Sequence, residues 1–150
     1  AGYNITGSNG LTISQKWSEG LTTFHGMHVR EFPNCFFFGP AQAGFTATYT
    51  FSLDENALHL AHILGEMKKR GVNRVEASQK AESDWVQTII DKARLTENFQ
   101  KACTPGYYNN EGHVNVKPQN NFYGGGPIEF FNLTRKWRAN NRLTGLELAE

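Results

Sequence analysis

Between Ser52 and Gly71 apolar residues recur at Ala57, Leu60, Ala61, Leu64 and Met67, the three-to-four-residue period of an amphipathic helix. Ser52 followed by Glu55 has the capping-box pattern. Lys68, Lys69 and Arg70 complement the negative end of the helix dipole, and Gly71 supplies the stop. The spacing predicts a helix over 53–70 with that apolar stripe buried. A second helix is predicted over 79–96, capped by Ser78, with Ala81, Trp85, Ile89 and Ala93 on one face. A third is predicted over 127–140, with Pro127 in its first position, burying Ile128 and Phe131 and with Trp137 placed to join them.

Shorter apolar runs read as extended chain. "LTISQKW" (11–17) puts Leu11, Ile13 and Trp17 on one side, and "HVREF", "CFFF" and "VNRVEAS" follow as further short strands. The run Cys35–Phe38 ends at Gly39-Pro40 and opens into the small residues Ala41, Ala43 and Gly44. Beyond it, Thr46, Thr48 and Thr50 alternate with Phe45, Ala47, Tyr49 and Phe51, so an extended chain would gather the aromatics on one side. A helical one would bring Phe45 and Tyr49 together at a spacing of four. From Asn98 to Gly126 there is no clean period, and loops that long in a compact domain are usually functional or disordered. The fold class is α/β with few strands, three helices and a long irregular loop. The strands are too few for a complete parallel sheet, so the chain reads as a piece of something larger.

Composition narrows the function. With 39% hydrophobic and 19% charged residues the chain is a globular one. Its 15 basic and 14 acidic side chains leave a net charge of +1, which gives no electrostatic reason to expect a nucleic-acid or anionic-membrane partner. No apolar run approaches the roughly 20 residues needed to span a bilayer, and "AGYNITGSNG" lacks the order of a signal peptide. Cys35 and Cys103 make no disulfide framework, so a reduced cytoplasmic chain is expected, with the sequons at Asn4 and Asn132 unmodified.

Candidate chemistry is sparse. His25 and His28 lie three apart, as do His59 and His62 on the first helix, where Asp54 and Glu55 come one turn earlier. A metal site is one reading, but a polar helix flank is favoured and no metal is expected. No G-x-S-x-G occurs. "GGGP" (124–127) precedes a helix and could cradle a phosphate, but it lacks the Lys and Ser/Thr of a P-loop and reads better as a turn. The turn at Gly39-Pro40 is the best physical candidate. A strand that ends in small residues before a helix resembles the ligand edge of an open α/β sheet, although a tight strand–helix connection with no ligand fits equally well.

Several segments together resemble the Baeyer–Villiger monooxygenases, the class B flavin enzymes. They are "GMHVREFPNCFFFGPAQAGF", "EASQKAESDWV", "CTPGYYNNEG" and "FYGGGPIEFFNLTRKWR" followed by "GLEL". They stand in that family's order over nearly the whole chain, and the last segments look like the subgroup acting on larger or cyclic ketones. The resemblance implies a C-terminal fragment of a flavoprotein with two dinucleotide-binding domains. Residues 1–71 would be the last strands, turn and helix of the FAD domain, and 72–150 a helical and loop segment at the active-site cleft. The implied activity inserts one oxygen atom next to a ketone carbonyl, giving an ester or lactone, with NADPH and O₂.

By matching position, Gly39, Pro40, Ala41, Gln42 and Thr46 would lie at the FAD, and Phe45, Tyr49, Tyr107 and Tyr108 at the ketone pocket. Where many members carry a Trp that touches NADP, this chain has Pro105-Gly106-Tyr107-Tyr108, so either one of the tyrosines would take its place or the contact would be made differently. No catalytic residue is identifiable, and those are expected upstream of Ala1. No G-x-G-x-x-G occurs in the chain, so FAD and NADP are expected only in the complete enzyme, with the ketone and the rest of the two domains as partners. The isolated chain is expected to be inactive. A free-standing, non-catalytic module that binds an apolar ligand or partner through Tyr107, Tyr108, Phe122 and Tyr123 is the alternative.

Overall fold

A computed structural model of the chain describes residues 4–93, 104–106 and 117–150. Tyr107, Tyr108, Cys103 and residues 94–96 lie outside the described residues, and the helix predicted over 79–96 already ends at Lys92, with Ala93 non-helical. The order is a short helical turn α1 (Ile13–Lys16), helix α2 (Tyr49–Arg70), strand β1 (Arg74–Ala77), helix α3 (Gln79–Lys92), helix α4 (Pro127–Ala139) and strand β2 (Leu146–Ala149). A three-ten turn at Pro118–Asn120 leads toward α4.

Among the described residues the sheet is two-stranded and antiparallel. Arg74 pairs with Ala149 and Ala77 with Leu146. The free edge of β1 is closed by a single residue. Asn34 N donates to Val75 O at 2.9 Å, and Asn34 Oδ1 accepts from Val75 N at 3.0 Å. The side chain thus replaces the carbonyl of a third strand. This needs the positive φ of 56° that Asn tolerates better than most residues. "HVREF" and "CFFF" are accordingly not strands. Their pairing is limited to isolated bridges, His28 with Phe24 and with Phe36, and carboxylates hold the first of them: Glu82 Oε1 accepts from Arg30 N and Glu76 Oε2 from Glu31 N.

The predicted strand at 11–17 is also corrected. Thr12 and Gln15 form a reciprocal capping box that turns the segment into α1, and Ile13 packs with Val29 and Phe32 while Leu11 and Trp17 flank that cluster. The remaining core is two clusters. Phe24, Ala43, Ala77, Trp85, Ile89, Tyr123, Phe130 and Phe131 form the larger, and Ile63, Met67, Val75 and Leu143 the smaller.

Helix α3 has the predicted Ser78 cap, whose hydroxyl accepts from Ala81 N, and buries Trp85 and Ile89. Helix α4 starts at Pro127 as expected and buries Phe131, but Phe130 shares the core in place of Ile128, which is 79% exposed. Helix α2 departs most from its pattern. It begins at Tyr49, so Ser52 and Glu55 are inside it, buried, and form no capping box. Its inner face is Ser52, Glu55, His59, Ile63, Glu66 and Met67, while Ala57, Ala61 and Leu64 of the apolar stripe are exposed and Leu60 is half-buried. The cause is on the facing helix. Arg135 and Arg138 of α4 both bind the Glu55 carboxylate, and the Arg135 hydrogen bond holds the Glu55 carboxyl below the usual carboxylate range. A polar face that finds its counter-charges can turn inward.

In the 150-residue chain, Ile63→Ala should therefore cost about 2–5 kcal/mol, whereas Leu64→Ala should stay within about 0.5 kcal/mol. Urea unfolding of both variants measures this, and equal losses would place the buried face of α2 elsewhere.

Candidate functional site

The turn that follows the bridge at Phe36 is built around one side chain. Gln42 is fully buried and adopts φ 56°. Its Oε1 accepts from Thr23 N at 3.1 Å and Thr23 Oγ1 at 2.6 Å. Its Nε2 donates to Leu21 O and Gln119 O, both at 2.8 Å. Two acceptor sites and two donors are all a primary amide has, so the whole side chain is used within the protein. Its backbone is engaged as well: Gln42 N donates to Asn121 O at 2.8 Å, and Gln42 O accepts from Trp85 Nε1 at 3.1 Å.

The small residues beside it serve two purposes. A Cβ on Gly26 would meet Ala43 Cβ at 2.7 Å, and one on Gly44 would meet the Phe130 ring at 2.7 Å. Ala43 and Gly44 are small because the chain's own core packs on them, not because a ligand approaches there. At Gly39, by contrast, a Cβ would meet nothing within 4 Å. Gly39, Pro40, Ala41, Phe45 and Thr46 are half-buried along the outer side of the turn, and Phe38 and Tyr49 are exposed. Thr46 Oγ1 donates to Thr48 O at 2.7 Å.

Phe45 stacks on Phe122, with ring centroids 4.8 Å apart and planes 16° apart. The residues from Phe45 to Thr48 are irregular, so the predicted alternation does not gather the aromatics on one side. Tyr49 opens α2 at 42% exposure, and Phe51 sits edge-on against Phe131 at 5.4 Å. Among the described residues the sheet is antiparallel, so the turn does not stand at the carboxyl edge of a parallel sheet. Its open edge comes from the Gln42 anchor instead. Sequence reasoning missed the Phe45–Phe122 pair, because 77 positions separate them. The one polar residue amid small ones, Gln42, was the available signal for the anchor.

No family model matches the chain. It is 43% identical over 150 residues to neopentalenolactone D synthase of Streptomyces avermitilis, covering 99% of this chain and 25% of that protein. Against the Baeyer–Villiger monooxygenase ATR8 of Stachybotrys chlorohalonatus it is 38% identical over 146 residues, 96% of this chain and 23% of that one. The fold superimposes with a TM-score of 0.88 on the polycyclic ketone monooxygenase of Thermothelomyces thermophila, at 27% identity over 98% of this chain and 24% of that chain. The chain is homologous to a segment of the Baeyer–Villiger monooxygenases. It spans about a quarter of the length of the curated relatives it matches.

Behind the turn, the chain buries a group of histidines. His25, His28 and His59 are each at least 95% buried, by exposures of 5%, 1% and 3%. The His25 and His59 rings lie 5.6 Å apart, with Trp137 5.6 Å from the first and 5.0 Å from the second. Arg138 Nη1 is 3.5 Å from His59 Nδ1. Among the described residues no group of three or more His, Cys, Asp or Glu could hold a metal ion. Of the pair read as a polar helix flank, His59 is a buried core group while His62 is half-buried, and His25 and His28 join His59 inside. Burial lowers the His28 pKa to about 3. Burial, then His28, Arg138 and His62, lowers His59 to about 3. His25 is lowered by burial, then by His59 and His28.

Two predictions follow the geometry. Gln42→Ala orphans Thr23 N and Gln119 O and leaves Leu21 O with the Gln119 Nε2 donor alone, and should destabilise the chain by about 3 kcal/mol in urea unfolding. The histidines set the acid limb. A depressed folded-state pKa contributes stability that is complete above the unfolded value of about 6.5 and is lost as pH falls toward the folded value. Stability should therefore decline below about pH 6.5, by up to about 1.4 kcal/mol per pH unit for each histidine. In a His28→Gln, His59→Gln double variant the slope between about pH 6.5 and 5 should flatten; an unchanged slope would assign the acid limb to other groups.

Proposed function

We propose that this chain is part of a flavin-dependent monooxygenase that inserts one oxygen atom next to a ketone carbonyl to give an ester or lactone, with NADPH and O₂. The observation that carries the reading is the open turn. Gly39 leaves its main chain unshielded, and aromatic rings border the outer side of the same loop at Phe45 and Phe122. A flat flavin ring can approach such a backbone, and a ketone can rest on the adjoining apolar surface. Gly39, Pro40, Ala41 and Thr46 would hold the flavin edge, with Gln42 fixing the turn from beneath. Phe45 and Tyr49 would border the ketone, joined by Tyr107 and Tyr108. The flavin, when bound, supplies the oxygen-transfer chemistry. The contribution of this chain is to shape the site, exclude water with its aromatic rings and orient the carbonyl.

The division into 1–71, completing an FAD domain, and 72–150, contributing to the cleft, fits the surfaces. Leu58 and Leu64 on α2 and Ile128 on α4 are 52%, 45% and 79% exposed. Apolar surface of that kind marks contact with further protein, here the remaining parts of the FAD and NADP domains. Among the described residues no helix is long and apolar enough to cross a membrane, and we place the enzyme in the cytoplasm. A non-catalytic binding module would present the same aromatics but would bind no flavin in any longer form.

The full-length protein carrying this segment should be yellow and should oxidise NADPH in step with lactone formation from cyclohexanone, while the 150-residue chain alone should show no stoichiometric flavin band. A colourless full-length protein would reverse the assignment. In the full-length enzyme, Tyr49→Ala should shift the relative kcat/KM among ketones of different size while changing stability by no more than about 1 kcal/mol.

A further inference from the structure

The segment carrying Phe122 is fastened to the turn on both sides of that residue. Gln42 N donates to Asn121 O at 2.8 Å, and Tyr123 N donates to Ala43 O at 3.0 Å. Asn121 is extended (φ −78°, ψ 168°), and successive side chains of extended backbone point to opposite sides. Tyr123 turns into the core, 4% exposed. Its ring is parallel to Trp85 at 5.5 Å and tilted against Phe130 at 5.7 Å. Phe122 turns outward, 41% exposed, onto Phe45. Phe122 and Tyr123 thus stand on opposite sides of one short segment, the first on Phe45 and the second in the core.

What holds Tyr123 in is an arrangement of charge at its far end. Tyr123 Oη donates to Glu129 Oε1 at 2.6 Å. The same oxygen accepts from Lys92 Nζ at 2.8 Å, and that ammonium lies 5.2 Å from the centre of the Tyr123 ring, within range of a cation–π attraction. Glu129 stands in the first turn of α4, where the helix dipole favours a carboxylate. The next residue, Gly124, passes so close to the end of α3 that a Cβ there would lie 1.6 Å from Lys92 O. The glycine run at 124–126 therefore lets the chain close on α3. It gives Tyr123 one grip from the last residue of α3 and another from the first turn of α4.

We propose that Tyr123 is a positioning residue for the ketone site: its hydroxyl, held by Glu129 and Lys92, keeps segment 121–124 in register and so holds Phe122 against Phe45. The proposal rests on the reading that Phe45 borders the ketone. Tyr123, Glu129 and Lys92 act through Phe122 and move no proton of the reaction. A purely structural tyrosine would lower stability and leave substrate preference alone. A positioning one changes how the larger ketone is bound.

The test is steady-state kinetics of the full-length enzyme with cyclohexanone and with progesterone, beside thermal melts of each variant. Tyr123→Phe keeps the ring and removes the hydroxyl. It should raise KM for progesterone about fivefold, the scale of one net hydrogen bond, with kcat within about twofold. Phe122→Ala should raise the same KM, and adding Tyr123→Phe to it should change nothing more, the non-additivity expected of two residues acting as a unit. Glu129→Gln, which still accepts from the phenol but loses the charge shared with Lys92, should raise KM less than Glu129→Ala, which should copy Tyr123→Phe. If Phe122→Ala raises KM but Tyr123→Phe does not, or if the two effects add, Tyr123 is not the positioning residue. If Phe122→Ala leaves KM for both ketones unchanged, the placement of the ketone beside Phe45 fails, and this proposal with it.

Discussion

The buried amide of Gln42 is the constraint on which the rest depends. The side chain binds the stretch at 21–23 and the three-ten turn at 118–120, and the backbone carbonyl of the same residue accepts from the indole of Trp85. Sequence positions 21 to 119 are thereby brought to a point. Every hydrogen-bonding site of the amide is satisfied, which is the condition under which a buried polar group specifies a structure and does not destabilise it. Removing any one partner would leave a desolvated donor or acceptor behind. The turn at Gly39–Gly44 is held by this anchor, and among the described residues the sheet is antiparallel.

A second polar arrangement orients α2. Glu55 faces Arg135 and Arg138, and His59 faces Arg138 and Trp137. The helix therefore presents charge and imidazole to α4 and leaves its leucines and alanines outside. Burying ionised groups is costly unless they are paired, and it enforces one pairing of helices more strictly than apolar contact would. The exposed leucine side then becomes a surface suited to further protein, in keeping with a chain that spans about a quarter of its relatives. One helix can serve two neighbours in this way because its circumference exceeds what either one covers.

The flavin-facing reading draws on both arrangements. The outer rim of the turn is open at Gly39, while Ala43 and Gly44 are filled from within by Gly26 and Phe130. Smallness in a sequence can mean room for a ligand or room for the chain itself, and at Ala43 and Gly44 it is the second. Phe45 and Phe122 supply an apolar border whose placement depends on the core side of the same two segments.

Much was legible in the sequence wherever the controlling interactions are local. The Ser78 cap, Pro127 as first residue of α4 and the stop at Gly71 were read correctly, because capping and φ restriction act within a few residues. The family resemblance was legible too, carried by several segments standing in order along the chain. What the sequence could not determine was which face of α2 turns inward, whether "CFFF" finds a strand partner, and why Ile128 stays outside. Those depend on counter-charges, edges and rings contributed from tens of residues away: Arg135 for Glu55, Asn34 for β1, Phe130 for Gly44. Periodicity registers that a residue is apolar, but burial is decided by what arrives opposite it, and only the tertiary structure brings those partners together.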